Sequence, residues 1–455
     1  MAILWALVAP VLGCLLVYRF SGLKNAHPRW AAWLLVFGAG TCAGVGLASC
    51  LFFLMHWAVP GVRVLPMIVE IALLAFAGYE VYRIRTQVRE TESTPNVFLL
   101  PLAGAAILGL IGATAVMSIV WDANPEGNWD AWSIWNLRAR MFTSDGALAQ
   151  RAWSPVLTGH PEYPLLTSGY IARSWNYAQT PLDNVASAVP IVTSYLFFAA
   201  LLAMASGGVA ALRSRALGLL FGLALLASPN LLAEVPAQYA DVPLASFFLG
   251  AVVCWLLDEP VLAGVLASLA AWTKDEGLFF LAAFAVFALV FRRARWPRWI
   301  AGAIPTTAIV LLIKFGLARG SPSLVGGSSL SKVFAFGRSM QVMAGFVSGF
   351  AGMMVDWYHP LLPAIVLAVA LRFQNKWKRD VLFPGGISLA MLAGYLGVYL
   401  AASNDLSWQL QTSMNRLLVQ IWPLLLLTIF MTLRAPESMV TLIEPKQKPV
   451  SKRKK

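Results

Sequence analysis

The sequence predicts an all-α polytopic membrane protein with about thirteen transmembrane helices. Of its 455 residues, 59% are hydrophobic and 12% are charged, whereas soluble domains carry about 25% charged residues. Apolar runs of roughly 17–25 residues, enough to cross a bilayer, recur along the whole chain. Because the polar gaps between them are mostly short, we expect a helical bundle with no large soluble domain.

The apolar runs place the helices in order along the chain. We expect N-terminal helices in 1–121, a long polar loop in 122–185, a transmembrane core in 186–433 and a basic tail in 434–455. The expected spans are 2–18, 31–57, 65–82, 97–121, 186–206, 216–230, 243–257, 261–273, 277–291, 299–318, 358–372, 381–402 and 416–433. The apolar segment 341–357 is expected to be re-entrant or interfacial, because a full span there would place the basic stretch "RFQNKWKRD" outside.

Basic residues set the expected orientation, because Lys and Arg near helix ends favour the cytoplasmic side. The clusters placed inside are Arg19/Lys24/Arg29, Arg83/Arg85/Arg89, Arg213/Arg215, Arg292/Arg293/Arg295/Arg298, Arg372/Lys376/Lys378/Arg379 and the tail "SKRKK". The amino terminus is then outside, and most carboxylates lie in outer loops. The net charge of +13 predicts contact with anionic membrane lipids and not with nucleic acid.

The stretch "GNWDAWSIWNLRAR" opens the long loop. Trp129–Met141 suits a helix along the membrane surface, with its three tryptophans three residues apart on one side. Asp130 stands at the start of this helix, where exposed N–H groups favour an ionised carboxylate, so helix capping is one explanation of it. Arg138, two turns on, is expected near the same side.

Other polar residues of the loop are candidates for substrate contact. The stretch "TGHPEYPLL" carries His160, Glu162 and Tyr163 between two prolines, which predicts a rigid turn. Its residues either hydrogen-bond substrate or have a structural role, and no third ligand stands at a spacing typical of a metal site. Asp122 and Glu126 compete with Asp130 for the role of the functional acid.

Two further outer clusters carry charge next to the membrane. "AEVPAQYADVPLASFF" holds Glu234, Tyr239 and Asp241, with no basic residue in the same stretch. "AAWTKDEGLFF" holds Lys274 and Glu276 in a tight turn, which either neutralises itself or supplies the missing partner. Charge close to lipid is costly without a partner or a task.

The last helix begins with one more candidate. "NDLSWQLQTSMNRLLVQIWP" places Arg416 at or just inside the outer boundary. Such an arginine either snorkels to the interface or binds an anionic headgroup or phosphate.

Together these motifs resemble the GT-C superfamily of membrane glycosyltransferases. The likeness is to the glycosyltransferase family 39-type, which includes protein O-mannosyltransferases and aminoarabinose transferases. The matching residues are Asp130 in the long outer loop, Tyr239, Asp241, Pro243 and Leu244 at the start of a later helix, and Thr273, Lys274 and Gly277 in a turn. The sequence departs from the family pattern in placing three further helices before the acidic loop and in lacking an adjacent acidic pair in "GNWDAW".

The resemblance implies a GT-C-like bundle with interfacial helices in its first large extracytoplasmic loop, in a bacterial inner membrane. It implies transfer of a sugar from a polyprenyl-phosphate donor to a glycan, lipid or protein acceptor, on the extracytoplasmic face and with inversion. Asp130 is then the general base, and Lys274 with either Arg138 or Arg416 binds the phosphate. Asp241, Tyr239 and Glu234 line the sugar or acceptor pocket.

No cofactor is required by this scheme. A divalent metal shared by Asp122, Glu126 and Asp241 is the less favoured variant, because Lys and Arg side chains are available to neutralise the phosphate.

Three alternatives stay open at the level of sequence. A transporter or lipid flippase predicts charge along a path through the membrane interior, and Glu70 is the clearest ionisable residue inside an expected span. An O-antigen polymerase or ligase predicts one dominant basic outer loop, whereas the outer basic residues here are scattered. A structural scaffold leaves the acidic clusters unexplained.

Overall fold

The computed structural model describes residues 1–59, 64–84, 99–143, 160, 162–179, 188–317, 333–355, 361–373, 379–402 and 405–437. Within these ranges the chain forms seventeen α-helices and no strand. In chain order they are α1 Ala2–Phe20, α2 Arg29–Ala58, α3 Leu65–Tyr82, α4 Leu99–Ala123, α5 Asn136–Thr143, α6 Leu166–Tyr177, α7 Ala188–Leu212, α8 Arg215–Leu226, α9 Pro229–Ala237, α10 Asp241–Leu256, α11 Pro260–Thr273, α12 Asp275–Arg292, α13 Trp296–Leu312, α14 Phe336–Val355, α15 Leu361–Leu371, α16 Arg379–Ala401 and α17 Leu406–Thr432. The predicted basic residues Arg85, Arg89, Lys376 and Lys378 and the end of the basic tail lie outside the described residues.

Eight helical runs in the described ranges are long and apolar enough to cross a membrane. They are Ala2–Phe20, Arg29–Ala58, Leu65–Tyr82, Leu99–Ala123, Ala188–Leu212, Asp275–Gly316, Arg379–Ala401 and Leu406–Thr432. A ninth candidate is the pair α8 and α9, whose axes are bent by 63°, and α10 and α11 are shorter apolar helices. The all-helical membrane class is confirmed, and the count of about thirteen spans stays a prediction.

Helix α10 is the centre of the bundle. Each of its residues from Asp241 to Leu256 is buried, and α7, α11 and α17 pack around it. A helix that is apolar on all sides is one that neighbours cover on all sides. The single acid at its first position is therefore held in the protein interior.

Small residues allow the first two helices to approach closely. A Cβ atom on Gly44 would lie 2.0 Å from the carbonyl oxygen of Ala9, and one on Gly40 would lie 2.6 Å from Cα of Cys14. Glycines four residues apart form one flat stripe on a helix, which suits tight packing between membrane helices. All four cysteines are free thiols.

One end of the bundle gathers the basic helix termini. Arg19 pairs with Glu80 at 3.0 Å, and the backbone N–H of Gly22 donates to Glu259 at 2.6 Å. The same end holds the ion pairs Arg295–Asp258 and Arg292–Asp380 and the hydrogen bond from Arg213 to the Leu433 carbonyl. Because α10 runs from Asp241 to this end over about 24 Å, its first residue lies at the opposite end.

Of the apolar segment expected at 341–357, the described residues 341–355 belong to α14, which is not among the eight candidate spans in the described ranges. Gly345 and Gly349 face α17, where an added Cβ would meet Leu410 and Met414 at 3.0 and 3.3 Å. Its re-entrant or interfacial placement stays a prediction.

Candidate functional site

The site is built around the carboxylate of Asp241, the first residue of α10. This side chain is fully buried, in a position where the helix N-terminus favours negative charge. It accepts hydrogen bonds from Lys274 Nζ at 3.1 Å and Arg416 Nε at 3.0 Å, and another from the Gln420 side-chain amide. A buried carboxylate needs partners of this kind to remain ionised.

Arg416 joins two carboxylates that are far apart in sequence. Its Nη2 atom lies 2.7 Å from Oδ2 of Asp130 and 2.9 Å from Oδ2 of Asp241. Its guanidinium also lies over the ring of Tyr239, 4.2 Å from the centroid, which adds a cation–π contact. Arg416 stands about 15 Å along α17 from Leu406, so the helix continues past the site.

Lys274 lies between α11 and α12, in a tight turn that depends on Gly277. A Cβ on Gly277 would lie 1.9 Å from the carbonyl oxygen of Ala270, so only glycine lets α12 start this close to α11. Lys274 Nζ contacts Glu276 at 3.0 Å and Asp241 at 3.1 Å. Burial lowers the pKa of Lys274, but the two carboxylates outweigh it and hold this pKa above its usual value.

The loop that carries Asp130 is fastened to the end of α9. Gly127 has φ +79°, a conformation that glycine adopts without strain, and the next N–H donates to the Ala237 carbonyl at 3.1 Å. The Gln238 side chain donates to the Pro125 carbonyl at 2.8 Å. These bonds place Asp130 beside the start of α10.

Asp130 does not act as a helix cap. No backbone N–H of the following turn bonds to its side chain, and its carboxylate faces Arg416 instead. The capping explanation is therefore wrong for this residue.

The predicted common face of the three tryptophans is wrong for Trp135. Trp129 and Trp132 are 67% and 46% exposed, whereas Trp135 is fully buried and stacks on Tyr163 with centroids 5.6 Å apart. The chain forms a π-helical turn over Ala131–Trp135, and a wider turn shifts the side chains that follow.

Three described residues of the predicted turn, His160, Glu162 and Tyr163, pack against this loop. His160 Nδ1 lies 2.9 Å from Glu162 Oε1, and its ring stacks on Tyr163 with centroids 4.3 Å apart. Burial raises the pKa of Glu162, but the His160 hydrogen bond and nearby positive charge outweigh it and hold this pKa below its usual 4.5. Burial, followed by the charge of Glu276, raises the pKa of Tyr163, so the turn lies near the α11–α12 junction.

Arg138 supports the same turn. It is fully buried and donates to the Tyr163 carbonyl at 2.8 Å. Burial lowers its pKa to about 10, which leaves the guanidinium protonated at neutral pH. Of the two arginines that were candidates for phosphate binding, the structure places Arg416 and not Arg138 beside Asp130 and Asp241.

Two predicted acids lie apart from this group. Glu126 pairs with Arg140 at 2.9 Å on the surface, and Asp122 is exposed at the end of α4. Neither acid lies with Asp241, so the three carboxylates Asp122, Glu126 and Asp241 do not form a shared metal site. Among the residues that the structure describes, no three His, Cys, Asp or Glu side chains are arranged to hold a metal ion.

Glu234, on α9, completes the group. Its side chain interacts electrostatically with Asp241, Arg416, Lys274 and Asp130. Its Oε2 atom is buried and, within the described residues, has no hydrogen-bond partner. We use the name charged cluster for this set of side chains: Asp130, Glu234, Asp241, Lys274, Glu276 and Arg416.

Two polar residues next to the charged cluster escaped sequence reasoning. Gln420 donates to Asp241 and accepts from the Tyr395 hydroxyl at 2.7 Å. Gln420 follows Arg416 by four residues, so both side chains lie on one helix face. This spacing is visible in the sequence and could have predicted a role for Gln420. Lys314 contacts Asp275, and a lone lysine in an apolar run is itself a signal.

Comparison with known proteins adds no relative. No family model matches the chain, and searches of curated proteins and of solved structures found no significant match. The geometry of the charged cluster is therefore the basis for assigning a function.

Proposed function

We propose that the chain is a membrane glycosyltransferase that moves a sugar from a polyprenyl-phosphate donor to an acceptor hydroxyl on the extracytoplasmic face. One observation carries the proposal: Asp130 lies 2.7 Å from Arg416, which together with Lys274 surrounds Asp241. A carboxylate that can accept a proton and two cations that can bind phosphate thus lie in one group at the end of the bundle away from the basic termini. This is the arrangement that sugar transfer from a lipid phosphate needs.

The proposed reaction is a single displacement. The acceptor oxygen attacks the anomeric carbon, while the bond from that carbon to the phosphate oxygen breaks on the opposite side. Asp130 accepts the hydroxyl proton. The leaving group is polyprenyl phosphate, and Lys274 and Arg416 stabilise the negative charge that it gains. The configuration at the anomeric carbon is inverted.

Arg416 has a second task in this scheme. Without a donor, its guanidinium binds the Asp130 carboxylate, so that this carboxylate is engaged in an ion pair and is not free for the acceptor hydroxyl. A donor phosphate competes with Asp130 for Arg416 and takes its place, while Asp241 still holds the other side of the guanidinium. Donor binding thereby frees the base for the acceptor.

The structure also weakens the main argument for a transporter. Glu70, the ionisable residue inside an expected span, forms a buried pair with Arg173, with Nε donating to Oε2 at 2.7 Å. Arg173 lies over the ring of Tyr177 at 4.8 Å. A carboxylate paired in this way fastens α3 to α6, so Glu70 itself is not an unpaired charge on a substrate path.

The test uses purified protein in lipid nanodiscs and a panel of polyprenyl-phosphate sugars with glycan, lipid and protein acceptors. We expect acceptor-dependent release of polyprenyl phosphate with at least one donor. Lys274→Met should lose this release, whereas Lys24→Met, at the opposite end of the bundle, should keep it. A folded protein that releases nothing from any donor contradicts the proposal.

A further inference from the structure

The charged cluster carries more negative than positive charge. Asp130, Glu234, Asp241 and Glu276 are acids, and they face the two cations Lys274 and Arg416. With every group in its ordinary form, two negative charges have no counter-charge. An anionic phosphate brought into this set adds repulsion, which burial strengthens.

A proton bound to one of the four carboxylates removes part of this repulsion. The ion pairs of the cluster indicate which carboxylate binds the proton. Asp241 has two cationic partners, Asp130 has Arg416, and Glu276 has Lys274 at 3.0 Å. Glu234 forms no ion pair within the described residues, and its buried Oε2 atom has no hydrogen-bond partner there. Oε2 of Glu276 also has no partner there, but Glu276 is compensated through Oε1 by Lys274. Arg416 and Lys274 act on Glu234 without forming an ion pair with it, and a buried carboxylate without an ion pair of its own is the group that most readily stays protonated.

We propose that Glu234 binds one proton when the donor phosphate binds, so that the site accepts the lipid phosphate and a proton together. This inference rests on the proposed function, and it gives Glu234 a role in donor affinity that is separate from the role of Asp130 as base. The titratable and charged groups that act on Glu234 are Asp241 from α10, Arg416 from α17, Lys274 from the α11–α12 turn and Asp130 from the loop after α4. Tyr239, just before α10, also interacts with it.

The protonated carboxyl is also suited to contact the ligand. Its O–H would donate to a phosphate oxygen, whereas an ionised Glu234 can only accept. A glutamine at this position has the same shape, carries no charge and keeps an N–H donor. Glu234→Gln therefore imitates the protonated residue at every pH.

The experiment uses polyprenyl phosphate, the leaving group of the proposed reaction, which carries the same lipid and phosphate as the donor. Its Kd for the full-length protein in nanodiscs is measured between pH 7 and pH 9. Phosphate monoesters are already dianions over this range, since their second pKa is about 6, so changes in Kd report on the protein. Uptake of one proton raises Kd by up to about tenfold per pH unit in the wild type. In Glu234→Gln we expect Kd to change by less than about threefold over the whole range.

Each other outcome counts against the inference. If Glu234→Gln keeps the wild-type slope, the proton is not on Glu234. If Glu276→Gln loses the slope and Glu234→Gln keeps it, the proton is on Glu276 and our assignment is wrong. If the wild type binds with no pH dependence, no proton is taken up. If folded wild type does not bind polyprenyl phosphate at all, the proposed function fails and this inference fails with it.

Discussion

Asp130 offers the sharpest test, because the structure separates its expected effects on stability and on activity. In Asp130→Asn, Arg416 keeps both of its contacts with Asp241, at 2.9 and 3.0 Å. The Asp130 side chain is mostly buried, with 21% of it exposed, but asparagine keeps an oxygen that can accept a hydrogen bond from Arg416, and Asp241 still pairs with Arg416. We therefore expect the free energy of unfolding to fall by about 0.5–1.5 kcal/mol.

The expected effect on activity is much larger. Loss of a general base lowers kcat by about 10²–10⁴-fold, which corresponds to about 3–5 kcal/mol on the activation barrier. Donor binding should be kept or improved, since asparagine competes with the phosphate for Arg416 less strongly than a carboxylate does. The assay is release of polyprenyl phosphate under saturating donor, with Kd for polyprenyl phosphate measured on the same preparation.

A matched control lies at the other end of the bundle. Asp258 pairs with Arg295 at 2.7 Å, the same separation as between Asp130 and Arg416. Asp258→Asn should leave kcat unchanged. Full activity in a folded Asp130→Asn protein would falsify the base assignment, and equal losses in both variants would show that the effect is not specific to the site.

Three further outcomes follow from packing and charge. Gly277→Ala should destabilise the protein and reduce donor binding, because the new Cβ would lie 1.9 Å from the Ala270 carbonyl oxygen. Thermal unfolding and the Kd of polyprenyl phosphate measure the two effects, and unchanged values of both would contradict the prediction. Arg173→Met should lower the free energy of unfolding by about 3–5 kcal/mol, because it leaves Glu70 buried without its partner, whereas the double variant Arg173→Met/Glu70→Gln should recover part of the loss. The pKa of Glu162 is held below its usual 4.5, so its ionised form stabilises the fold above about pH 4.5, and this contribution is lost as the pH falls through the lowered pKa. Glu162→Gln should therefore make the free energy of unfolding less dependent on pH in the acid range. A variant with the same pH dependence as the wild type would contradict this prediction.

Helix positions were accessible to sequence reasoning because apolar length is a local property. The predicted run at 65–82 coincides with α3, and the predicted start at 243 lies two residues from the start of α10. Locating Asp241 and Lys274 on one side of the bundle also needed only helix order, since consecutive helices alternate in direction. Boundaries were less accurate where polar residues continue a helix, as in α17, which begins at Leu406 and not at 416.

Which charges meet could not be read from the same patterns. Arg416 and Asp241 are separated by 175 positions, and their contact depends on how α17 is rotated and shifted against α10. Arg138 had the more suggestive position in sequence, because it follows Asp130 in the same helix. A π-helical turn between them changes the register, and the backbone carbonyl of Tyr163 becomes its partner instead.

The sequence by itself determined the class of the protein, the positions of its apolar helices and the residue types available for chemistry, because hydrophobic length and charge placement act residue by residue. Only the tertiary structure decided that Arg416 joins Asp130 to Asp241, that Trp135 turns inward and that Glu234 has a buried oxygen with no partner in the described residues. These features depend on the rotation of helices about their axes. Packing of side chains from several distant segments sets that rotation, and no single segment encodes it.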